Sequence, residues 1–231
     1  KVEGVESFPI KNYPDAIQVE MKKNVFLTTA FKDGLFEVQD ASSQKIGELL
    51  DVKEGMRVVD ACAGAGGKTL HLAALMKNKG QIIALDIYEW KLAELKRRAK
   101  RAGAHNIETR MIDDNKVIKR LHEKADRLLI DSPCSGLGVL KRNPDSKWKI
   151  DQAFIDRIKK EQEKILQDYS KILKKGGKMI YATCSILPSE NNEQVEIFLK
   201  NNEEFSLIKE EKVMPSEGFD GFYMALIGRN A

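Results

Sequence analysis

The chain has 231 residues, of which 42% are hydrophobic and 32% are charged, and its formal net charge is +4. This size suits one large domain, or one domain with a small appendage, and the composition is ordinary for a globular protein. No apolar run approaches the roughly 18 residues of a membrane span, and no signal-peptide pattern is present, so we expect a cytoplasmic protein without a membrane partner. The charge permits RNA as a partner without proving it, and a first residue of Lys1 is compatible with a fragment of a longer protein.

The first 40 residues alternate turn signals with short mixed runs, at 25–27 and 35–38. This pattern predicts short strands or a hairpin, which we assign to a small N-terminal subdomain over residues 1–40. Ser42 and Ser43 are helix-start residues, and apolar residues then recur at helical spacing up to the turn at 53–55. We therefore expect the main domain to cover residues 41–231 and to begin with a helix.

From residue 57 onward, short apolar runs alternate with helical patterns. Strands are predicted at 57–60, 81–86, 107–112, 126–131, 178–184, 205–208 and 222–227, and helices at 67–77, 89–102, 151–174 and 190–200. Such alternation predicts an α/β fold, with a mostly parallel seven-stranded sheet and helices on both faces. Ligands in such sheets bind beyond the carboxyl ends of the strands. Five strands are predicted to end there on a polar residue: Asp60, Asp86, Asp113, Asp131 and Cys184.

Residues 60–69 combine a strand end, a loop of small residues and a helix start. Gly64, Gly66 and Gly67 allow positive φ and close backbone approach, and the helix N-terminus favours the negative end of a ligand. Asp86 follows the loop by about 20 residues. In nucleotide-binding folds, a carboxylate at this separation accepts hydrogen bonds from the ribose hydroxyls. The segment therefore predicts a nucleotide-like ligand.

Two other interpretations of this loop stay open at this point. Gly67-Lys68-Thr69 ends like a P-loop, and 127–131 resembles the strand that accompanies one, but Cys62 replaces the first glycine that the phosphate cradle needs. A dinucleotide site is the other rival, although no neighbouring residue suggests hydride chemistry. A glycine loop alone fits a tight structural turn as well as it fits a nucleotide site. The carboxylates at the neighbouring strand ends favour the nucleotide site.

The stretch 126–138 contains a buried strand that ends at Asp131, followed by a turn with Cys134 between a proline and two glycines. This context alone suggests that Cys134 is a nucleophile. The three cysteines show no CxxC spacing, so neither a disulfide framework nor a metal site is predicted, and the three histidines share no ligand spacing. For Cys62 we favour a small buried hydrophobe over direct chemistry.

The motif Asp131-Ser-Pro-Cys-Ser-Gly136, with Thr183-Cys184-Ser185 after the next strand, resembles the Sun (Fmu) family of S-adenosylmethionine-dependent RNA 5-methylcytosine methyltransferases, bacterial 16S ribosomal RNA type. The resemblance extends from about residue 14 to residue 227. It includes the glycine loop and the segments 38–42, 141–145 with Trp148, 185–191 and 220–223. The family commonly has proline at Ala65, and this departure should change the stiffness of the loop more than its chemistry.

The resemblance implies a Rossmann-like methyltransferase that acts on C5 of a cytosine in RNA, with ribosomal RNA as the expected substrate. We expect the protein to be a monomer. Cytosine C5 is a poor nucleophile, so a thiolate first adds to C6. In the family the residue matching Cys184 is this nucleophile, and the residue matching Cys134 assists product release. Asp131 is implied at the N3/N4 edge of the base, and Lys68 near the thiolate, where its charge lowers the thiol pKa.

The resemblance places ten residues at the cofactor S-adenosylmethionine: Cys62, Ala63, Gly64, Ala65, Gly66, Gly67, Lys68, Asp86, Asp113 and Asp131. Five residues after the Cys134 loop combine cations with an aromatic ring and are RNA-binding candidates: Lys141, Arg142, Lys147, Trp148 and Lys149. A core position for Trp148 is an alternative, and the basic run 96–101 is interpreted as the solvated face of a helix. A transfer RNA substrate, a P-loop nucleotide hydrolase and a non-catalytic RNA-binding scaffold remain alternatives.

Overall fold

The protein is described by a computed structural model over residues 3–20 and 24–231. The strands are β1 (Ser7–Ile10), β2 (Tyr13–Val19), β3 (Arg57–Asp60), β4 (Gln81–Asp86), β5 (Ile107–Met111), β6 (Ala125–Asp131), β7 (Leu173–Thr183), β8 (Phe205–Val213) and β9 (Phe222–Arg229). The α-helices are α1 (Thr29–Lys32), α2 (Ala41–Leu50), α3 (Gly67–Leu75), α4 (Glu89–Arg101), α5 (Asn115–Lys119), α6 (Ser146–Lys149), α7 (Gln152–Tyr169) and α8 (Asn192–Asn201). No helix among these residues is long and apolar enough to cross a membrane.

Seven strands form one sheet in the order β5-β4-β3-β6-β7-β9-β8, which confirms the predicted α/β fold. β3 to β7 are parallel, and β9 runs antiparallel to both β7 and β8. The chain leaves β3 toward one edge of the sheet and returns at β6 to build the other side. The carboxyl ends of β3 and β6 therefore border the crevice in which folds of this kind bind ligands.

Successive side chains of the central strands enter two different apolar layers. On β3, Val59 packs with residues of α5, α7 and α8, whereas Val58 packs with residues of α2 and α3. On β6, Leu128 and Leu129 divide between the same two layers. Because helices cover both faces, these strands are apolar at consecutive positions and show no alternation with polar residues.

The N-terminal region differs from its prediction. Residues 25–27 form a 3-10 turn and residues 36–38 have no regular structure, so neither run is a strand. The hairpin is instead formed by β1 and β2, and Asn12 at its turn has a φ of 66°, a conformation that asparagine tolerates well. Tyr13 and Ala16 pack against Ala41 at the start of α2. A domain boundary at residue 40 stays a prediction.

The end of the long helix was also predicted wrongly. α7 ends at Tyr169, a 3-10 turn follows, and β7 begins at Leu173. Pairing with β6 jumps from Leu173 to Lys178, so the residues between them bulge from the strand, with Gly176 at a φ of 70°. The two glycines thus belong to a strand bulge and do not end the helix.

Smaller differences concern two other helices. α3 ends at Leu75, two residues earlier than predicted, and its buried apolar residues are Leu70, Leu72 and Ala73. α8 begins at Asn192, two residues later than predicted, because residues 188–190 form a 3-10 turn. That turn buries Glu190 beneath the two cysteine loops.

Candidate active site

Two aspartates at strand ends, Asp60 and Asp86, accept hydrogen bonds from the glycine loop and the helix that follows it. Asp60 Oδ2 at the end of β3 accepts a hydrogen bond from Thr69 Oγ1 on α3 at 2.7 Å. Asp86 Oδ2 at the end of β4 accepts from the Gly64 amide at 2.9 Å, and its Oδ1 accepts from the Tyr88 amide at 2.9 Å. Each Asp86 oxygen keeps a further lone pair, so the carboxylate orders the loop and can still accept from a ligand.

The glycines of the loop have two different roles. A Cβ at Gly66, where φ is 88°, would lie 2.5 Å from Leu95 Cγ, so packing against α4 requires this glycine. A Cβ at Gly64 or Gly67 would meet no protein atom within 4 Å. The loop therefore leaves open space beside the first turn of α3, and the residues present fit a bound cofactor there.

The basic run on α4 is only partly the solvated face that was predicted, because Lys96, Arg97 and Lys100 are exposed whereas Arg98 and Arg101 contact other segments. Arg98 Nη1 donates to the Ala65 carbonyl at 2.7 Å, and its guanidinium pairs with Glu37 at 2.9 Å. Arg101 also pairs with Glu37 and lies over the Phe31 ring, 3.9 Å from its centroid. Two of the basic side chains thus join the N-terminal segment to the loop.

A partly buried ion pair lies at the edge of the sheet, beside the strand ends. Lys68 Nζ lies 2.7 Å from Asp131 Oδ2, and 5.0 Å from the centroid of the Phe222 ring. Burial acts to lower the pKa of Lys68, but the charge and hydrogen bond of Asp131 outweigh it, so the pKa is raised. Lys68 is consequently a fixed cation, and Asp131 a carboxylate with a bound partner.

The two predicted site cysteines are in contact. Cys134 Sγ in the loop after β6 lies 3.2 Å from Cys184 Sγ, which directly follows β7. The hydrogen bond from the Cys134 thiol lowers the pKa of Cys184 against the opposing effects of burial and Asp131, and Lys68 contributes in the same direction as the hydrogen bond. The same hydrogen bond, together with burial, raises the pKa of Cys134. Cys184 is therefore the more acidic thiol of the pair.

Backbone contacts hold the two cysteine loops together. The Gly138 amide donates to the Cys184 carbonyl at 2.9 Å, and the Gly221 amide donates to the Gly138 carbonyl at 2.8 Å. A Cβ at Gly138 would lie 2.2 Å from the Gly221 carbonyl oxygen. Glycine at 138 thus permits a close approach of three backbone segments.

The remaining predicted cofactor residues lie in different surroundings. Cys62 is partly buried, and burial raises the pKa of its thiol well above the usual value, so it remains neutral. Ala63 is buried, in an apolar cluster with α4. Asp113 is exposed in the bend after β5.

The five RNA-binding candidates are all exposed, but some of their positive charges are already paired with carboxylates of the protein. Arg142 pairs with Asp40 at 2.9 Å and with Asp220 at 2.7 Å, so its charge already joins α2 to the loop before β9. Lys149 pairs with Asp145 at 3.2 Å, and Lys141 is exposed. Trp148 is 80% exposed, with Lys147 Nζ at 4.8 Å from its ring centroid. The alternative of a core position for Trp148 is therefore wrong.

The order of the sheet, its glycine loop and the crevice at the switch in strand order define a Rossmann-like methyltransferase domain. The sequence model of the family described as 16S rRNA methyltransferase RsmB/F matches residues 48–227. The chain belongs to this family, and the predicted resemblance is confirmed. The family is one of S-adenosylmethionine-dependent enzymes, so the P-loop and dinucleotide interpretations of the glycine loop are not supported.

Similar proteins agree with this assignment. Ribosomal RNA small subunit methyltransferase B of Proteus mirabilis is 36% identical over 230 residues, which are 98% of this chain and 54% of that protein. The crystal structure of PH0851 has a TM-score of 0.94 and 31% identity, over 99% of this chain and 55% of that one. NSun6 from Pyrococcus horikoshii with SFG has a TM-score of 0.82 and 27% identity, over 94% of this chain and 60% of that one. This chain spans about half the length of the curated relatives it matches.

Proposed function

We propose that this chain transfers a methyl group from S-adenosylmethionine to C5 of a cytosine in RNA, through a covalent bond between Cys184 and C6. The observation that carries the proposal is the contact between the two thiols at 3.2 Å. One thiol has a lowered pKa, the other keeps its proton, and the Lys68–Asp131 pair lies beside them. These groups supply the nucleophile, hydrogen-bond donor and anchored carboxylate that the reaction requires.

The cofactor is proposed to lie against the glycine loop, with Gly64 and Gly67 beside it and Asp86 at its ribose hydroxyls. Three observations support this placement: the open space at both glycines, the first turn of α3 and the free lone pairs of Asp86. When bound, S-adenosylmethionine supplies an electrophilic methyl group. Asp113, which the resemblance places at the same site, lies in the bend that follows β5, and β5 is the strand next to β4.

Cys184 begins the reaction as a thiolate. Its sulfur forms a bond to C6 of cytosine, the electron pair of the C5–C6 double bond moves into the C4–C5 bond, and the pair of the C4–N3 double bond moves to N3. N3 takes up a proton from solvent, and Asp131 is proposed to hold this N3/N4 edge. Addition makes C5 enamine-like and therefore nucleophilic. The ammonium of Lys68 favours the thiolate before addition and keeps Asp131 in place.

Release reverses the addition. The C5 proton passes to solvent water, its electron pair restores the C5–C6 double bond, and the carbon–sulfur bond breaks with its electron pair on Cys184. N3 returns its proton to solvent, so the product is neutral 5-methylcytosine. The Cys134 thiol donates to the departing sulfur, because it lies within hydrogen-bonding distance and its raised pKa keeps the proton on it. Cys134 is therefore proposed to act in release and not in attack.

Ribosomal RNA is the proposed substrate, and a transfer RNA cytosine is the alternative. The proposal rests on the family and on the exposed Trp148 with its neighbouring lysines, a combination that suits stacking on an unpaired base. The target cytosine must be unpaired or flipped, because C6 inside a duplex stack is out of reach of a side chain.

The proposal is tested with the purified chain, labelled S-adenosylmethionine and two substrates, a small-subunit ribosomal RNA transcript and transfer RNA. We expect 5-methylcytosine in the ribosomal transcript by nucleoside mass spectrometry, and none with Cys184→Ala. Ile197→Ala, which shortens an exposed side chain on α8, is the control and should retain transfer, because this residue lies outside the proposed site. Transfer that survives Cys184→Ala contradicts the mechanism, and cofactor and RNA binding without any transfer favours the scaffold alternative.

A further inference from the structure

A fully buried carboxylate lies between the two cysteine loops. Glu190 Oε1 accepts from the Ser135 amide at 2.8 Å and from Gln162 Nε2 at 3.2 Å. Glu190 Oε2 accepts from Ser135 Oγ at 2.5 Å and from Ser185 Oγ. Both oxygens therefore have two donors, and one carboxylate contacts the loop after β6, the loop after β7 and helix α7.

The serine hydroxyls are oriented so that they donate to this carboxylate. Ser135 Oγ accepts from the Leu137 amide at 3.4 Å, and Ser185 Oγ accepts from the Leu187 amide at 3.1 Å. Each hydroxyl thus receives a backbone donor in its own turn and directs its proton at Glu190. Among the described residues no lysine, arginine or histidine pairs with Glu190, so neutral donors alone stabilise it. Burial of a carboxylate is costly unless such donors are complete.

Each serine directly follows one of the two site cysteines. Ser135 is next to Cys134, and Ser185 is next to Cys184, so the two residues that share one carboxylate are the chain neighbours of the two thiols in contact. The backbone of Glu190 is held as well, since its carbonyl accepts from Tyr181 on β7 at 2.8 Å. A displacement of Glu190 therefore changes the separation of the two cysteine loops.

We propose that Glu190 is a positioning residue for the reaction: its carboxylate joins Ser135 and Ser185 and so keeps the Cys134 and Cys184 thiols in contact. This inference rests on the proposed function, because it assigns Glu190 a role in preparing the nucleophile of that reaction. Glu190 itself does not contact the thiols in this role.

The positioning role and a purely electrostatic role predict opposite effects. The groups that act on Cys184 are the Cys134 thiol, Asp131 and Lys68, and the contact with Cys134 is the largest of the favourable effects. If Glu190 acted only through its negative charge, its removal would ease thiolate formation and lower the pKa of the thiols. If Glu190 holds the loops, its removal weakens the thiol contact and raises the pKa of Cys184.

The experiment measures alkylation of Cys184 by iodoacetamide from pH 5 to pH 10, read by peptide mass spectrometry in wild type and in Glu190→Gln. We expect the midpoint of Cys184 alkylation to move upward by about one pH unit, and the rate below both midpoints to fall about tenfold. The matched control is Glu196→Gln, the same change at an exposed residue of α8 whose carboxylate accepts from Asn192 at 3.3 Å. This control should leave the midpoint unchanged.

A midpoint that stays in place or moves downward in Glu190→Gln overturns the proposal, provided that the variant binds S-adenosylhomocysteine as wild type does. If Glu190→Gln fails to fold, the double variant Ser135→Ala/Ser185→Ala decides in the same assay: an upward shift supports the proposal, and no shift overturns it. Alkylation needs no RNA, so the absence of methyl transfer by the wild type would refute the proposed function alone. If the wild type is active and the alkylation midpoint of Cys184 moves upward in Glu190→Gln, this variant should also have a lower kcat. Its KM for RNA should be unchanged.

Discussion

The Cys134 thiol lies 3.2 Å from the Cys184 thiol, although the two residues are 50 positions apart in the chain. Their strands β6 and β7 are parallel neighbours, so the loops that follow both strands leave the same edge of the sheet. The two thiols are unequal, since the pKa of Cys184 is lowered and the pKa of Cys134 is raised. Several consequences of this inequality, and of the packing around it, are measurable.

Removal of either thiol should block a different step of the reaction. We expect Cys184→Ala to lower the rate of methyl transfer by a factor of about a hundred or more, because the covalent route is lost. We expect Cys134→Ala to accumulate a protein–RNA adduct that survives denaturing electrophoresis, because the departing sulfur loses its hydrogen-bond donor. An adduct that requires Cys134 and forms without Cys184 would reverse the roles proposed for the two residues.

The acidity of Cys184 should depend on Cys134. The hydrogen bond from Cys134 is the largest effect on the pKa of Cys184 and lowers it, so the thiolate exists at a lower pH than for an ordinary thiol. In Cys134→Ala the pH midpoint of Cys184 alkylation should therefore rise, and in Cys134→Ser, which keeps a donor, it should rise less. Iodoacetamide labelling across a pH series measures both midpoints, and equal midpoints in the two variants would contradict this explanation.

Two glycine substitutions should separate packing from ligand binding. Gly138→Ala places a Cβ 2.2 Å from a backbone oxygen of Gly221, so we expect a loss of about 2 kcal/mol or more in unfolding free energy by urea denaturation. Gly67→Ala meets no protein atom within 4 Å. It should leave stability within about 1 kcal/mol of wild type and weaken the binding of S-adenosylhomocysteine measured by calorimetry. Unchanged affinity in Gly67→Ala would exclude this glycine from the proposed cofactor site.

Asp60 should make stability depend on pH. Burial raises the pKa of this carboxyl from 3.8 to about 7, against the hydrogen bond from Thr69. Because the folded protein holds this proton more tightly than the unfolded chain, the contribution is complete below about pH 4 and is lost as the pH rises through 7. The loss is at most about 1.4 kcal/mol per pH unit.

The prediction for Asp60 is tested by urea denaturation of wild type and Asp60→Asn at pH 5 and pH 7. The asparagine keeps an acceptor for Thr69 and does not titrate, so the decrease in stability from pH 5 to pH 7 should be smaller in the variant. Asp126→Asn is a suitable control, because the pKa of that carboxyl is lowered and lies outside this pH interval. The same pH dependence in Asp60→Asn and wild type would assign the effect to other groups.

Much of the fold was predictable from local patterns. The strands over 57–60, 81–86 and 126–131 were placed within one residue of their observed bounds, because strands buried on both faces are short continuous apolar runs. The glycine loop was recognisable for a similar reason, since its glycines, its helix start and the aspartates at the strand ends lie within a few tens of residues. These features need only the neighbouring sequence to be recognised.

Features that depend on distant partners were not predictable in this way. Arg98 and Arg101 belong to a basic run typical of a solvated helix, but Glu37, more than 60 positions away, pairs with both. The helix pattern of α7 continues past Tyr169, and only pairing with β6 converts the following residues to strand.

The thiol contact and the Glu190 carboxylate beneath it show most clearly which features the neighbouring sequence predicts and which depend on distant partners. The sequence by itself determined the two cysteine motifs, the strands that precede them and the family that they indicate. Only the tertiary structure decided that Glu190, in a segment without a predicted role, contacts both serines. The physical reason is that hydrogen bonds and ion pairs act over a few ångströms in space, and only the packed sheet brings residues 135, 185 and 190 within that distance.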